Sequence, residues 1–371
     1  MSFSLRLERR LTPSRAAAVL VPIASIFLSL VAAGILLRLV GASPWETYKA
    51  MAIGAFGGKY NISETLVKAI PLMLTGLAVS VAFRMQFWNI GAEGQLVMGG
   101  FAAAGVALFL PERFPWLPDW SLLPLMFIAG FAVGALWGLG PALLKALLGV
   151  NEIITTLMLN YVAILWVEYL YVGPWKDPQG FGFPGTAQFP KAAWLPRITG
   201  RVHLGLVIAI LAAIALWVVL TRTKWGYEIR VIGENPRAAR YAGISLVRNI
   251  LLVMILSGGL AGLAGFGEVA GISHRLQKGL NVGYGYTAII VAWLAKLNPW
   301  GVLLVAILLA GLLVGGDQLQ ITMGLPASVA LVLQGLILFF VLGGSVFTQY
   351  RLRIVRSRRV PIPQAAEEVG A

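Results

Sequence analysis

FWNIGAEGQLVMGGFAAAGVALFL, residues 87–110, opens on a knot of polar and small residues and then runs on apolar. Asn89, Gly91, Glu93, Gly94 and Gln95 crowd the start of what is otherwise a membrane-type helix. Glycine lets the chain bend, and asparagine can cap the helix that follows. The N–H groups freed at such a start carry partial positive charge and face whatever cavity the break creates. A second stretch, Asn281-Val282-Gly283-Tyr284-Gly285-Tyr286-Thr287, repeats the Asn-(Ile/Val)-Gly pattern and also opens an apolar run. Each follows a complete span. An odd number of spans lies between them, so the two halves are oppositely oriented. Inverted repeats with polar breaks in matching positions mark the solute path of transporters. The expectation is an all-α polytopic membrane protein in two inverted-topology halves, with broken helices at Asn89 and Asn281.

Composition points the same way. The chain has 371 residues, of which 58% are hydrophobic and 12% charged. An ordinary soluble domain carries about 25% charge. A water-facing surface and a disordered chain are both excluded. The absence of cysteine excludes a disulfide scaffold, thiolate catalysis and Cys-ligated zinc. About ten hydrophobic spans are expected, near 16–40, 65–84, 89–110, 121–146, 152–172, 203–221, 250–272, 284–296, 300–318 and 326–347. In lipid such long runs are helices, because only helices and closed barrels satisfy their own backbone. The first run is too long for a signal-peptide core of ~7–15 residues and reads as a retained helix.

The net charge of +14 is unevenly placed. Basic residues gather in 1–15, in the loop 222–249 and in the tail 348–371. The positive-inside rule then puts both termini and that loop in the cytoplasm. Residues 16–347 read as the membrane domain. The clustering reflects topology, and no nucleic-acid partner is expected. The loop 173–202, rich in Pro, Gly and aromatics, reads as external.

Polar residues at membrane depth cost ~2.5–3.5 kcal/mol each when charged, so they face the bundle interior. Glu152, Thr156 and Asn160 recur every fourth residue and form one stripe of a helix. A solute path is expected along Asn89, Glu93, Gln95, Thr156, Asn160, Glu268, Asn281, Tyr284 and Tyr286. The competing reading is interhelical hydrogen bonding, favoured for Glu152 and Glu168 near span ends. Phe87, Trp88, Tyr284, Tyr286 and Trp293 sit beside the breaks. They could stack on a planar base or belong to the lipid-interface belt.

The mid-chain loop holds a capped helix: Asn235 suits the N-cap, Pro236 the first position, and Gly243 the residue past the end. It reads as a docking helix for a cytoplasmic protein, or as a helix resting on anionic lipid. No motor is encoded: Gly58-Lys59 is the only Gly-Lys pair and lacks the rest of a phosphate-binding loop. His203 and His274 form no zinc motif, and no nucleophile elbow is present. No catalytic residue, metal site or cofactor is expected.

Phe87 to Gln95 resembles the F-N-I-G-A-E-G-Q signature of ABC-importer permeases of the nucleoside and simple-sugar branch, with Trp88 splitting the Phe-Asn pair. Asn151 to Tyr161 is similar to that family's N-E-[VI]-[IV]-[TS]-[TS]-[LI]-M-[LM]-N stretch. Gly233 to Ile244 resembles its coupling loop. Together these cover about residues 16–347. The resemblance implies a bacterial-type inner-membrane permease subunit carrying a small polar solute inward, a nucleoside first and a simple sugar second. It implies coupling through Gly233, Glu234, Asn235, Pro236, Ala239, Tyr241 and Gly243. The implied partners are a cytoplasmic ATPase with tandem cassettes, a second related permease, and an external substrate-binding protein or lipoprotein. A proton-coupled secondary transporter, using Glu93 or Glu268, is the alternative outside this class.

Overall fold

A computed structural model describes residues 2–9, 15–326 and 328–357. The rest of the expected basic termini, 10–14 and 358–371, lies outside the described residues. Residues 42–334 form one compact unit, and 1–41 with 335–371 form another.

Helices α1 (Arg15–Leu39), α2 (Pro44–Phe56), α3 (Lys59–Arg84), α4 (Ala92–Arg113), α5 (Leu122–Leu148), α6 (Glu152–Val172) and α7 (Gly205–Arg222) come first. They are followed by α8 (Lys224–Glu234), α9 (Pro236–Tyr241), α10 (Leu246–Glu268), α11 (Tyr284–Leu294), α12 (Pro299–Thr322) and α13 (Ser328–Gln349). Among the described residues, eight helices are long and apolar enough to cross a bilayer. Two shorter apolar helices, Tyr284–Leu294 and Ser328–Gly344, bring the count to the ten expected.

Two helices, besides the four short strands described below, were not expected. Helix α2 carries Glu46 and Lys49 and is only 13 residues long, so it does not read as a span. It is held against α12, where Gly311 admits Phe56 and Gly315 admits Met51. Helix α8 looked like connector because its apolar residues lie on one face only. That face is what it buries, through Gly226, Ile229, Ile232 and Gly233.

The core of the larger unit is α3 with α4, α5 and α10. Every residue of α3 from Ala69 to Phe83 is buried, as expected of a helix apolar on all sides. Helices α4, α5 and α10 approach backbone to backbone at glycines. A Cβ on Gly262 would meet the Gly130 carbonyl and lie 3.1 Å from Gly134 Cα. A Cβ on Gly99 would in turn meet Gly262. Lipid gives no hydrophobic drive between helices, so this close packing is what holds them together.

In the smaller unit, β1 (Ser2–Arg9) pairs antiparallel with β4 (Tyr350–Ser357), from Ser2 opposite Ser357 to Arg9 opposite Tyr350. Residues 2–9 and 350–357 therefore lie side by side. A short ribbon, β2 (Arg197–Thr199) with β3 (Val202–His203), closes the long loop before α7.

Gly262→Val should lower the thermal midpoint of the detergent-solubilised protein, since overpacking costs about 1–3 kcal/mol. Gly140→Ala, whose new methyl would sit 3.8 Å from Leu159 Cδ1, should not. Size-exclusion recovery after heating measures both.

Candidate functional site

Helix α3 ends at Arg84, and the chain re-enters a helix only at Ala92. In between, Gln86 takes a left-handed φ of 56°. Asn89 is wholly buried, and its side chain is fully used. Its Nδ2 donates to Gln95 Oε1 at 3.0 Å and to Ser257 Oγ at 2.9 Å. Its Oδ1 accepts from Gly91 N at 3.0 Å and from Gln95 Nε2 at 3.2 Å. Ser257 passes the link to α3, donating to the Ala78 carbonyl at 2.7 Å. Asn89 therefore folds the break and ties it to α10 and α3. It does not cap α4, whose N-cap is Gly91.

The second break is joined to the first. Helix α11 has 11 residues, about 16 Å of rise, and starts inside the bundle. The first N–H groups at this start, those of Gly283 and Gly285, are part-buried and buried. Glu93, 1% exposed on the first turn of α4, supplies the acceptors. Gly283 N donates to Glu93 Oε1 at 2.8 Å, and Gly285 N donates to Oε2 at 2.6 Å. Gly283 caps the helix with φ 87°. At Gly285 a Cβ would lie 2.6 Å from Glu93 Cα, so glycine is required for this approach. Asn281, expected at the break itself, is exposed and two residues short of the cap. A carboxylate on α4 and a left-handed glycine hold the start of α11 instead.

Helix α6 closes the joint. Thr156 Oγ1 accepts from Ile90 N at 3.3 Å. Asn160 Oδ1 accepts from Gly94 N at 2.8 Å, and its Nδ2 donates to the Ile90 carbonyl at 2.9 Å and to the Tyr286 hydroxyl at 3.2 Å. Thus Asn89, Glu93, Gln95, Thr156, Asn160, Tyr284 and Tyr286 gather around one meeting of α4, α6 and α11, while Asn281 is exposed and Glu268 lines a cavity at the end of α10. Glu152 is held by Lys145 at 2.7 Å, consistent with a packing role.

At one end of the bundle, the loop before α7 folds over the end of α10. Arg201 N donates to Ser63 Oγ at the start of α3, and Leu195 N to the carbonyl of Ala270 in the π-helical turn Val269–Ser273. A cavity of about 590 Å³ lies between residues 177–186 and 275–278. It shares Arg275, Gln277 and Lys278 with a second cavity of about 550 Å³ that reaches Glu268. Both histidines are buried here. Burial, then the charges of His274 and Arg197, push the His203 pKa down to about 4. Burial also lowers His274, whose ring stacks on Trp194 at 4.0 Å. Both shifts favour the neutral ring.

At the opposite end, Asn235 accepts from Arg237 N at 3.0 Å and Ala238 N at 3.1 Å, with Pro236 in the first position of α9. Gly243, φ 75°, ends the motif, and Ile244 N donates back to the Ala239 carbonyl at 3.0 Å. Ala239 is buried, Glu234 is exposed and Tyr241 is 94% exposed. This helix pair touches the first break: Gln86 Nε2 donates to the Gly233 carbonyl at 2.6 Å. Gly233 itself lies against the Arg84 carbonyl, with no room for a Cβ. Arg84 also donates to the Leu297 carbonyl beyond α11, at 3.1 Å. Trp88 and Trp293 stack on each other at 5.9 Å. Gln86, Ser257 and Arg84 were not expected to matter. Only the polar pair Arg84 and Gln86, at the end of an apolar run, hinted at it.

The family of permease components of branched-chain amino acid transport systems matches residues 61–342. The chain is 36% identical to the glucose ABC transporter permease protein of Haloferax volcanii, over 97% of this chain and 96% of that one. It is 36% identical to the guanosine ABC transporter permease protein of Bacillus subtilis, over 91% and 96% of the two chains. The nucleoside ABC transporter permease protein of Lactococcus lactis is 32% identical, over 87% and 90%.

Removing Glu93 leaves buried donors unmet, at about 1–3 kcal/mol. Glu93→Ala should therefore destabilise the solubilised protein more than Glu93→Gln, which keeps one acceptor oxygen. Thermal midpoints of the two variants give the order.

Proposed function

This chain belongs to the family of permease components of branched-chain amino acid transport systems, and from that premise we propose how it works as the permease of an ABC importer. Its solute is a neutral nucleoside, with a simple sugar as the second reading. Relatives that carry guanosine, nucleosides and glucose in their names support both. ABC permeases work with an ATPase and a substrate-binding protein. Here the ATPase carries tandem cassettes, and a second related permease completes the membrane pair. The chain sits in a bacterial-type inner membrane with both termini cytoplasmic. The side-by-side ends of β1 and β4 support an even number of crossings.

The observation that carries the mechanism is the packing of Gly233 on the Arg84 carbonyl, with Gln86 bonded beside it. Helices α8 and α9 present Asn235, Pro236, Tyr241 and Gly243 to the ATPase. A push there reaches Gly233, which has no gap separating it from Arg84. Arg84 and Gln86 end α3, and the next residues lead to Asn89 and Glu93. Glu93 holds the start of α11, so displacement of the helix pair moves both breaks together. Solute enters over Glu268 and passes the joint of Glu93, Asn160, Tyr284 and Tyr286. A proton-driven carrier has less support, because Glu93 is occupied by two backbone donors.

Gly243→Val places a β-branched residue at φ 75°, and Asn235→Trp removes the cap of α9. Both variants should reach the membrane at normal levels, yet lose uptake while the ATPase partner goes on hydrolysing ATP at its basal rate. Radiolabelled guanosine and glucose uptake, with ATP turnover in proteoliposomes, tests this. Normal coupled uptake in both variants would contradict it.

A further inference from the structure

Glu268 ends α10 at the floor of the inner of the two cavities. Its Oε1 is shielded from solvent and has no hydrogen-bond partner. The other membrane-depth carboxylates near it are occupied. Glu93 takes two backbone N–H groups, and Asp317 is paired with Lys68. Glu268 thus lines the cavity with one buried carboxylate oxygen that no protein group occupies.

The charges around it narrow what it can accept. Arg275 and Lys278 line the same cavity, and Lys68, paired with Asp317, also acts on Glu268 electrostatically. A cation entering must pass two positive side chains. An anion is drawn to that rim and then repelled by the carboxylate. A neutral molecule meets neither barrier. A carboxylate has two oxygens side by side, so it suits two adjacent donors on one ligand edge. We propose that Glu268 is a specificity-determining residue that reads a paired donor edge of a neutral solute. Resting on the importer reading above, that edge is either the vicinal hydroxyls of a sugar ring or the adjacent N–H groups of a guanine base.

The test uses the whole transporter in proteoliposomes with ATP, comparing the native chain with Glu268→Gln and Glu268→Asp. Half-saturating concentrations are measured for guanosine, 2′,3′-dideoxyguanosine and purine riboside, and for D-glucose and 3-deoxy-D-glucose. Glu268→Gln keeps the size and loses one acceptor. It should raise the guanosine or glucose value by about tenfold or more, with Glu268→Asp in between. If the hydroxyl pair is read, the deoxygenated ligands are poor for the native chain and unchanged by Glu268→Gln. If the base edge is read, dideoxyguanosine follows guanosine, and purine riboside is the insensitive ligand. An equal shift for every ligand, or no shift at all, overturns the proposal while leaving the importer reading intact. A native complex that imports neither guanosine nor glucose overturns both.

Discussion

A helix that begins inside a bilayer cannot leave its first N–H groups bare. Water is absent, and each unsatisfied group costs several kcal/mol. Helix α11, read as such a helix, takes its acceptors from Glu93 on the first turn of α4. The carboxylate is itself costly to bury and is made tolerable by those donors. Each break therefore stabilises the other. Asn160 and Thr156 on α6 then fix the angle at which the two meet.

From that joint the connection to the inner helix pair is steric more than polar. One hydrogen bond from Gln86 to Gly233 is worth only about 0.5–1.5 kcal/mol. Interhelical bonds in membranes average still less, near 0.6 kcal/mol. The packing of Gly233 on the Arg84 carbonyl admits no side chain, so the elements must move as neighbours. Packed contacts of this kind are bistable and transmit displacement where a single polar bond would give way.

Hydropathy made the spans legible, because lipid enforces long apolar helices with few exceptions. The capped helix at Asn235 was legible as well, since caps act over three or four residues. Asn281 lies in the second break without capping it, for a physical reason: Asn89 folds a turn in the first break, while the second relies on a left-handed Gly283 and a remote carboxylate. That carboxylate pairs residues 93 and 283, which no local pattern connects. The same holds for Ser257 and Gln86, whose roles exist only once α10 and α8 are in place. Helix α2 was hidden by its length and charges, and its stability comes from glycines on α12.

The account depends on α8 and α9 facing the cytoplasm while the two polar cavities open on the other side. The chain has no cysteine, so single introduced thiols report without background. Tyr241→Cys and Phe181→Cys replace residues that are 94% and 98% exposed. A membrane-impermeant maleimide should label Phe181→Cys in intact cells and Tyr241→Cys only in inverted vesicles. Labelling of Tyr241→Cys from outside intact cells would contradict the account.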